Sequence, residues 1–301
     1  MRVIADSTPP FGQLLTAMVT PFTDKGVVDV EAAVSLAKHL VDQGNDGLVL
    51  HGTTGEAPTT HSPEKSEVIS AVVEAVGERA VVIAGAGSND TVHAVRMAEQ
   101  AAAAGAHGLL VVTPYYSRPS QAGAAAHFKA VAGASDLPVM LYDIPGRAGL
   151  RIAPQTYDDV AQLDNVVAVK DATGDVYTAA LNQARTGLAL YSGDDGLYLP
   201  FLSVGAVGLV SVVSHIATPS FVKIRQAWER GDHTAAIAEF HAVTPLIEAI
   251  MGGGIGAVMA KEALHIMGLL PSAALRLPQV GAEPQQRKEL ETTLRAFGLT
   301  S

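Results

Sequence analysis

At 301 residues, with 48% hydrophobic and 17% charged side chains, the chain has enough apolar material for a large core and too little charge for a disordered protein. Thirty acidic against twenty basic residues leave a formal charge of −10 with no Lys/Arg cluster, which argues against a nucleic-acid partner. The absence of cysteine excludes disulfides, thiolate nucleophiles, Cys-ligated zinc and iron–sulfur clusters, and fits a cytoplasmic location. The N-terminal stretch MRVIADSTPPFGQ lacks a basic region followed by an apolar core, and no uninterrupted apolar run reaches about 18 residues, so neither export nor membrane insertion is expected. The ten histidines are scattered outside any metal-binding motif, and no protein-bound metal is expected.

Short apolar or β-branched runs recur along the chain at Leu14–Val19, Gly47–Leu50, Val81–Ala84, Gly108–Val112, Pro138–Tyr142, Val166–Val169, Ala189–Tyr191 and Ala206–Val212. Between them lie Ala-rich segments with apolar residues at helical spacing, among them Val30–Asp42, Pro63–Val76, Asp90–Ala104, Ala122–Ala132 and Pro219–Arg230. Ser62-Pro63-Glu64, Asn89-Asp90 and Thr218-Pro219 supply helix-entry signals. Strand then helix, repeated eight times, predicts an α/β fold, a (β/α)8 TIM barrel over residues 1–230. After Arg230-Gly231-Asp232 the strands cease. Helices are expected near His233–Met251, Ile255–Met267 and Pro284–Phe297, with loops at Gly252–Gly254 and Gly268–Glu283, making residues 231–301 a C-terminal helical extension. An open doubly wound sheet would announce itself by G-x-G-x-x-G after the first strand, which here ends in Thr20-Pro21-Phe22. Gly85-Ala86-Gly87-Ser88-Asn89-Asp90 lacks the third glycine and Gly252–Gly256 follows a helix, so both read as turns.

The most informative residue is Lys170, at the end of Val166-Val167-Ala168-Val169. By strand alternation it shares a face with Ala168, and it points into the barrel mouth if the valines pack on the helices. Burial there would disfavour an ammonium and leave an amine able to attack a carbonyl; the alternative is a lysine paired with Asp171 or reaching solvent. Gly52-Thr53-Thr54-Gly55-Glu56 follows the second strand, and its backbone N–H and hydroxyl groups suit a small carboxylate. Taken alone, it reads rather as a polar turn in which Thr or Glu caps the next helix. Tyr115-Tyr116 and Tyr142 stand at strand ends, where a phenol beside a Schiff base can move protons or can simply pack. Arg147, in the turn Pro145-Gly146-Arg147, is either a carboxylate clamp or a surface arginine. Asp194-Asp195 lack further oxygen ligands at motif spacing, and capping with support of the site is preferred to a metal.

Taken together, GTTGE at Gly52–Glu56, VTPYYSRPS at Val112–Ser120, LYDIPGR at Leu141–Arg147, VKDATGD at Val169–Asp175 and YSGDD at Tyr191–Asp195 resemble the pyruvate-dependent class I aldolases of the N-acetylneuraminate lyase superfamily, and within it the dihydrodipicolinate synthase family. The resemblance extends more loosely to Leu275-Arg276-Leu277-Pro278. It implies condensation of pyruvate with L-aspartate 4-semialdehyde on the lysine branch, in the cytoplasm, with no metal and no external cofactor. Lys170 would form the imine, Thr53 and Thr54 in the loop from Gly52 would hold the pyruvate carboxylate, and Tyr142 would be the general acid/base. Thr53 would link Tyr142 to Tyr116, the latter supplied by a neighbouring subunit of a homo-oligomer, commonly a homotetramer. Arg147 would receive the semialdehyde and Val210 would offer its backbone carbonyl. The resemblance leaves open a 2-keto-3-deoxy sugar-acid aldolase, while Arg147 argues against an N-acetylneuraminate lyase. A non-catalytic barrel that binds a keto acid would need a defect outside a complete motif set. His51 and Ala57 depart from the family pattern. Lys65 and His93 stand where lysine-inhibited members carry a histidine and a glutamate, with Asn89 and Tyr115 retained, so weak or absent inhibition by lysine is expected.

Overall fold

Helix starts are set by side chains that accept the first orphan backbone N–H groups. Asp29 accepts from the Ala32 amide to open α1 (Val30–Asp42), and α2 (Glu64–Val76) starts from Pro63 without a side-chain cap. Asp90 opens α3 (Thr91–Ala103) and Ser120 opens α4 (Gln121–Ala132). The chain then makes two short helices, α5 (Pro145–Ala148) and α6 (Pro154–Val160), each with a proline in its first turn. Asp175 caps α7 (Val176–Thr186), and α8 (Tyr198–Ser203) and α9 (Ser214–Glu229) follow. Asp232 caps α10 (His233–Ile247), and α11 (Gly256–Ile266) and α12 (Pro284–Ala296) complete the set.

Between the helices, β1 (Leu14–Ala17), β2 (Gly47–Leu50), β3 (Val81–Gly85), β4 (Gly108–Val112), β5 (Val139–Asp143), β6 (Val166–Asp171), β7 (Ala189–Ser192) and β8 (Gly208–Ser211) close into a parallel barrel in chain order. This computed structural model describes residues 9–253 and 255–300. Residues 1–8 of the stretch read for a leader, and Gly254 of the expected Gly252–Gly254 loop, lie outside the described residues.

By its contacts the chain divides into two compact units: the segment up to Gln13 with Val81–Val210, and Leu14–Ala80 with Ser211–Ser301. In the first, parallel pairing runs from β3 to β8, and the register sets Tyr142 beside Lys170, Asp143 beside Asp171, and Lys170 beside Tyr191. The segment before β1 is tied to this unit. The Phe11 amide donates to the Tyr191 hydroxyl at 3.3 Å, and that hydroxyl donates to the Gly12 carbonyl at 2.8 Å. Glycine is needed where this segment passes, because a Cβ on Gly108 would lie 2.5 Å from the Phe11 ring and one on Gly208 would lie 2.2 Å from the Gln13 carbonyl oxygen.

In the second unit β1 pairs with β2, and a buried polar chain links the elements. The Thr16 hydroxyl lies 2.7 Å from both Asn45 Oδ1 and Ser214 Oγ, and Asn45 Nδ2 donates to Thr218 Oγ1 at 2.8 Å. His215 Nε2 accepts from the Val19 amide, and burial depresses its pKa to about 4, so the ring is neutral at physiological pH.

Two expectations are corrected. The sixth strand continues past Val169 to Asp171, which puts Lys170 inside β6 rather than beyond it. Ser62-Pro63 offers no side-chain cap to α2. Ser214–Glu229 is two helical pieces joined across a kink at non-helical Ala217, and Thr218-Pro219 stands in the first turn of the second piece, as its entry signal implied. The helices α5, α6 and α8, of four, seven and six residues, carry too few turns for periodicity to register, whereas α7, at eleven residues, is long enough. The helix His233–Gly252, α10 with its π-turn continuation, is long and apolar enough to cross a membrane by length and composition, although Glu239 and Glu248 interrupt it.

Candidate active site

The centre of the first unit's site is a lysine that the strand pairing cannot release to water. Lys170 is 5% exposed, and its Nζ lies 4.3 Å from the centroid of the Tyr142 ring. The two residues are register partners on β5 and β6, so period-two alternation sends both side chains to one face. Thr113, following β4, fixes the strand end by directing its amide and hydroxyl to the Tyr142 carbonyl, both at 3.1 Å. Gly193 of the YSGDD motif leaves room for the lysine, since a Cβ there would come within 3.0 Å of Lys170 Cε and of the Asp171 carbonyl. Next to it, Asp194 accepts from the Gly196 amide and caps the turn Asp195–Leu197. Val210 is fully buried in β8.

Directly behind Tyr142 and Lys170 in sequence stand two carboxylates that alternation sends to the other face, Asp143 and Asp171, 1% and 3% exposed. Asp143 accepts from the Tyr157 hydroxyl at 3.1 Å and from the Ile152 amide at 3.3 Å. Asp171 accepts from the Thr173 amide and hydroxyl at 2.9 and 2.8 Å. Burial, reinforced by the neighbouring Asp171 charge, pushes the Asp143 carboxyl up to about 7. Burial raises Asp171 as well, opposed by its bonds from Thr173, and raises the Tyr157 phenol further above its usual range.

A raised carboxyl pKa means that the folded protein holds a proton which the unfolded chain releases at about pH 4. The contribution of Asp143 to stability is therefore greatest below that pH and is lost as the pH rises toward about 7. In thermal melts from pH 4.5 to 8, the melting temperature of Asp143→Asn minus that of the unaltered protein should increase with pH. A difference that stays flat would show that Asp143 ionises normally.

The loop after β4 and the turn after β5 are joined by the Tyr116 amide, which donates to the Ala148 carbonyl at 3.3 Å. Tyr116 adopts a left-handed φ of 71° and its side chain is 87% exposed. Gly149 ends α5 in the left-handed conformation, and a Cβ on it would lie 2.9 Å from Arg118 Nε. Arg147 lies on α5 and is exposed.

The Gly52–Glu56 loop belongs to the second unit and is folded on its own backbone, with the Glu56 amide donating to Thr53 O and the Ala57 amide to Gly52 O. Thr53 is exposed and Thr54 is buried. Glu56 does not cap a helix. It is 4% exposed in a left-handed conformation, and its Oε1 accepts from Lys261 Nζ at 2.5 Å while its Oε2 accepts from the Arg276 amide at 3.0 Å. Lys261, on α11, is fully buried; it also donates to the Ala274 carbonyl at 2.8 Å and lies 4.0 Å from the Phe22 ring centroid. Arg276 covers the same ring and holds Glu64 with two bonds of 2.5 and 2.9 Å. Burial lowers the Lys261 pKa, with Glu56 opposing, and burial lowers His51 to about 3, so its imidazole is neutral at physiological pH.

Sequence reasoning thus singled out Lys170 and Tyr142, which the structure brings together, but missed the Asp143–Asp171–Tyr157 cluster and the Lys261 partner of Glu56. Alternation alone could have placed Asp143 and Asp171 together on the helix-facing side.

A family model described as the dihydrodipicolinate synthetase family matches residues 10–297. A 4-hydroxy-tetrahydrodipicolinate synthase from Bifidobacterium longum is 53% identical over 290 residues, 96% of each chain, and a second such protein, from Streptomyces coelicolor, is 50% identical over 97% of this chain and 98% of its own. Among solved structures, a dihydrodipicolinate synthase from Cyanidioschyzon merolae with lysine bound matches with a TM-score of 0.93 at 39% identity over 97% of this chain and 100% of its own, and one from Bacillus anthracis with a TM-score of 0.92 at 37% identity over 95% and 98%. With matches of this extent along nearly the whole sequence, the chain belongs to the dihydrodipicolinate synthetase family.

Proposed function

We infer that the protein acts as a 4-hydroxy-tetrahydrodipicolinate synthase, condensing pyruvate with L-aspartate 4-semialdehyde through a Schiff base on Lys170. The observation that carries this reading is the buried Lys170 amine over the Tyr142 ring at the end of adjacent barrel strands. The amine attacks C2 of pyruvate, and loss of the carbonyl oxygen as water gives the imine. Tyr142 passes the protons of that exchange, and removal of a methyl proton gives an enamine that attacks the aldehyde carbon. The amine of the second substrate then displaces Lys170 by transimination and closes the ring. Gly52, Thr53 and Thr54 hold the pyruvate carboxylate, Arg147 receives the semialdehyde, and the Val210 carbonyl faces pyruvate. These steps call on no metal and no cofactor.

Residues 1–230 form the catalytic barrel and 231–301 its helical extension. The protein works in the cytoplasm as a homotetramer in which Tyr116 completes a neighbouring subunit's site. The 87% exposure of Tyr116 supports that last role. Incubation with pyruvate and borohydride should leave a reduced adduct on Lys170 by peptide mass spectrometry, with turnover of the semialdehyde and little inhibition by millimolar lysine. Trapping without semialdehyde turnover would point to a sugar-acid aldolase, and inhibition by lysine would overturn the reading of Lys65 and His93.

A further inference from the structure

The loop that begins Gly52-Thr53-Thr54 is folded in turns on its own backbone rather than in a helix or strand. Its last residue, Glu56, sits in a left-handed conformation that an L side chain rarely adopts, so something outside the loop must fix it there. The fixing groups come from more than 200 residues away in the sequence, from α11 and the segment that follows it. Lys261 is unusual even as a buried lysine. All its polar contacts go to two acceptors, Glu56 Oε1 and the Ala274 carbonyl, and its charge is otherwise faced by the Phe22 ring and by the guanidinium of Arg276. A buried pair of this kind is a poor source of stability compared with apolar side chains of the same volume, and its attested use is to specify one arrangement. Here the arrangement specified is that of the Gly52–Glu56 loop.

The same carboxylate also receives the Arg276 amide, and the Arg276 side chain reaches on to Glu64 at the start of α2, the Gly26 carbonyl and the Thr59 carbonyl. Two residues of the C-terminal segment therefore grip the chain on both sides of the loop's exit. Gly55 leaves little slack, since a Cβ there would lie 2.9 Å from the His51 amide nitrogen and 3.1 Å from the Met18 carbonyl, and its own carbonyl accepts from the Thr20 hydroxyl at 2.7 Å. A rotation of Glu56 would be transmitted to the threonines through the bond from the Glu56 amide to the Thr53 carbonyl.

We propose that Lys261, with Arg276, is a positioning residue for substrate binding: through Glu56 it holds the Gly52–Thr54 hydroxyls and amides in the geometry that accepts the pyruvate carboxylate. The inference rests on the assignment of that loop to pyruvate, and it gives the helical extension a part in the site. Neither residue touches substrate. Loss of the grip should appear in the affinity for pyruvate, while the amine of Lys170, carried on another strand, keeps its chemistry.

The test compares Lys261→Met, Glu56→Gln and the double variant with the unaltered protein, by pyruvate KM, kcat, melting temperature and borohydride trapping. Lys261→Met is expected to raise the KM for pyruvate at least about tenfold and leave kcat within about threefold, with full trapping on Lys170 at saturating pyruvate. The double variant should be no worse than Lys261→Met, since both remove one device. A lower melting temperature with unchanged KM would overturn the proposal and leave the pair a matter of stability only. If Lys261→Met does not fold, Glu56→Gln, which keeps the side-chain volume and sets an amide NH2 against one of the two donors, Lys261 Nζ and the Arg276 amide, carries the same test with an expected rise in KM of about threefold, and an unchanged KM in that variant overturns the proposal. Absence of an adduct in the unaltered protein would sink the Schiff-base assignment itself, an outcome separate from any comparison of variants.

Discussion

Replacement of Lys170 by alanine is expected to abolish borohydride trapping of pyruvate and to lower kcat/KM at least about 1,000-fold, the scale on which removal of a covalent nucleophile acts. Lys170→Arg should be no better. A guanidinium stays protonated throughout the physiological range and cannot form the imine. It is also larger than the space available, because Gly193 is kept free of a Cβ that would come within 3.0 Å of Lys170 Cε. The fold should survive the alanine substitution, since Lys170 makes its close aromatic contact with a Tyr142 whose own strand is held by Thr113. Circular dichroism and melting curves near those of the unaltered protein would confirm that catalysis alone was lost. An adduct that persisted in Lys170→Ala, on any other lysine, would disprove the assignment.

The second large effect is on stability. Gly208→Ala places a Cβ 2.2 Å from the Gln13 carbonyl oxygen, 2.8 Å from Tyr191 Cε1 and 2.9 Å from the Gln13 carbonyl carbon. Two of those three neighbours are backbone, and the third is the ring whose hydroxyl ties down Gly12. No flexible side chain can yield. Overpacking at such a site costs about 3 kcal/mol, which for a chain of this size corresponds to a fall of roughly 5 °C in melting temperature. Gly146→Ala is the matched control, because nothing lies within 4 Å of its virtual Cβ and it sits in α5, where alanine is favoured. Equal melting temperatures for the two variants would contradict the close approach at Gly208.

Much of this architecture was legible in the sequence, for identifiable reasons. The bounds of β2, β4 and α1 follow from sharp changes in periodicity flanked by turn residues, and Asp90 announced α3 as a capping residue. Lys170 and Tyr142 were legible because alternation along each strand is local, and the motifs around them are those of a known family. What stayed hidden depends on partners far along the chain. Glu56 could be read as a cap because nothing near it in sequence shows that Lys261, 205 residues on, takes its carboxylate. Asp143 carries no sign that α6 will cover it with Tyr157. The strand end at Lys170 was placed too early because a charged residue in a run of valines reads as the point where burial stops, whereas β6 buries two charges beyond Val169.

The tie between Phe11 and Tyr191 has a consequence in time. The two residues are 180 positions apart, so while the chain is being made the Phe11 amide cannot reach its Tyr191 acceptor until the seventh strand has left the ribosome. At about 5–20 residues per second, that is a wait of roughly 10 to 40 seconds. The ring of Phe11, fully buried in the finished protein, meets Gly108 of β4 well before that, so the burial of the ring can begin in one stage of synthesis and its backbone tie be completed only in a later one.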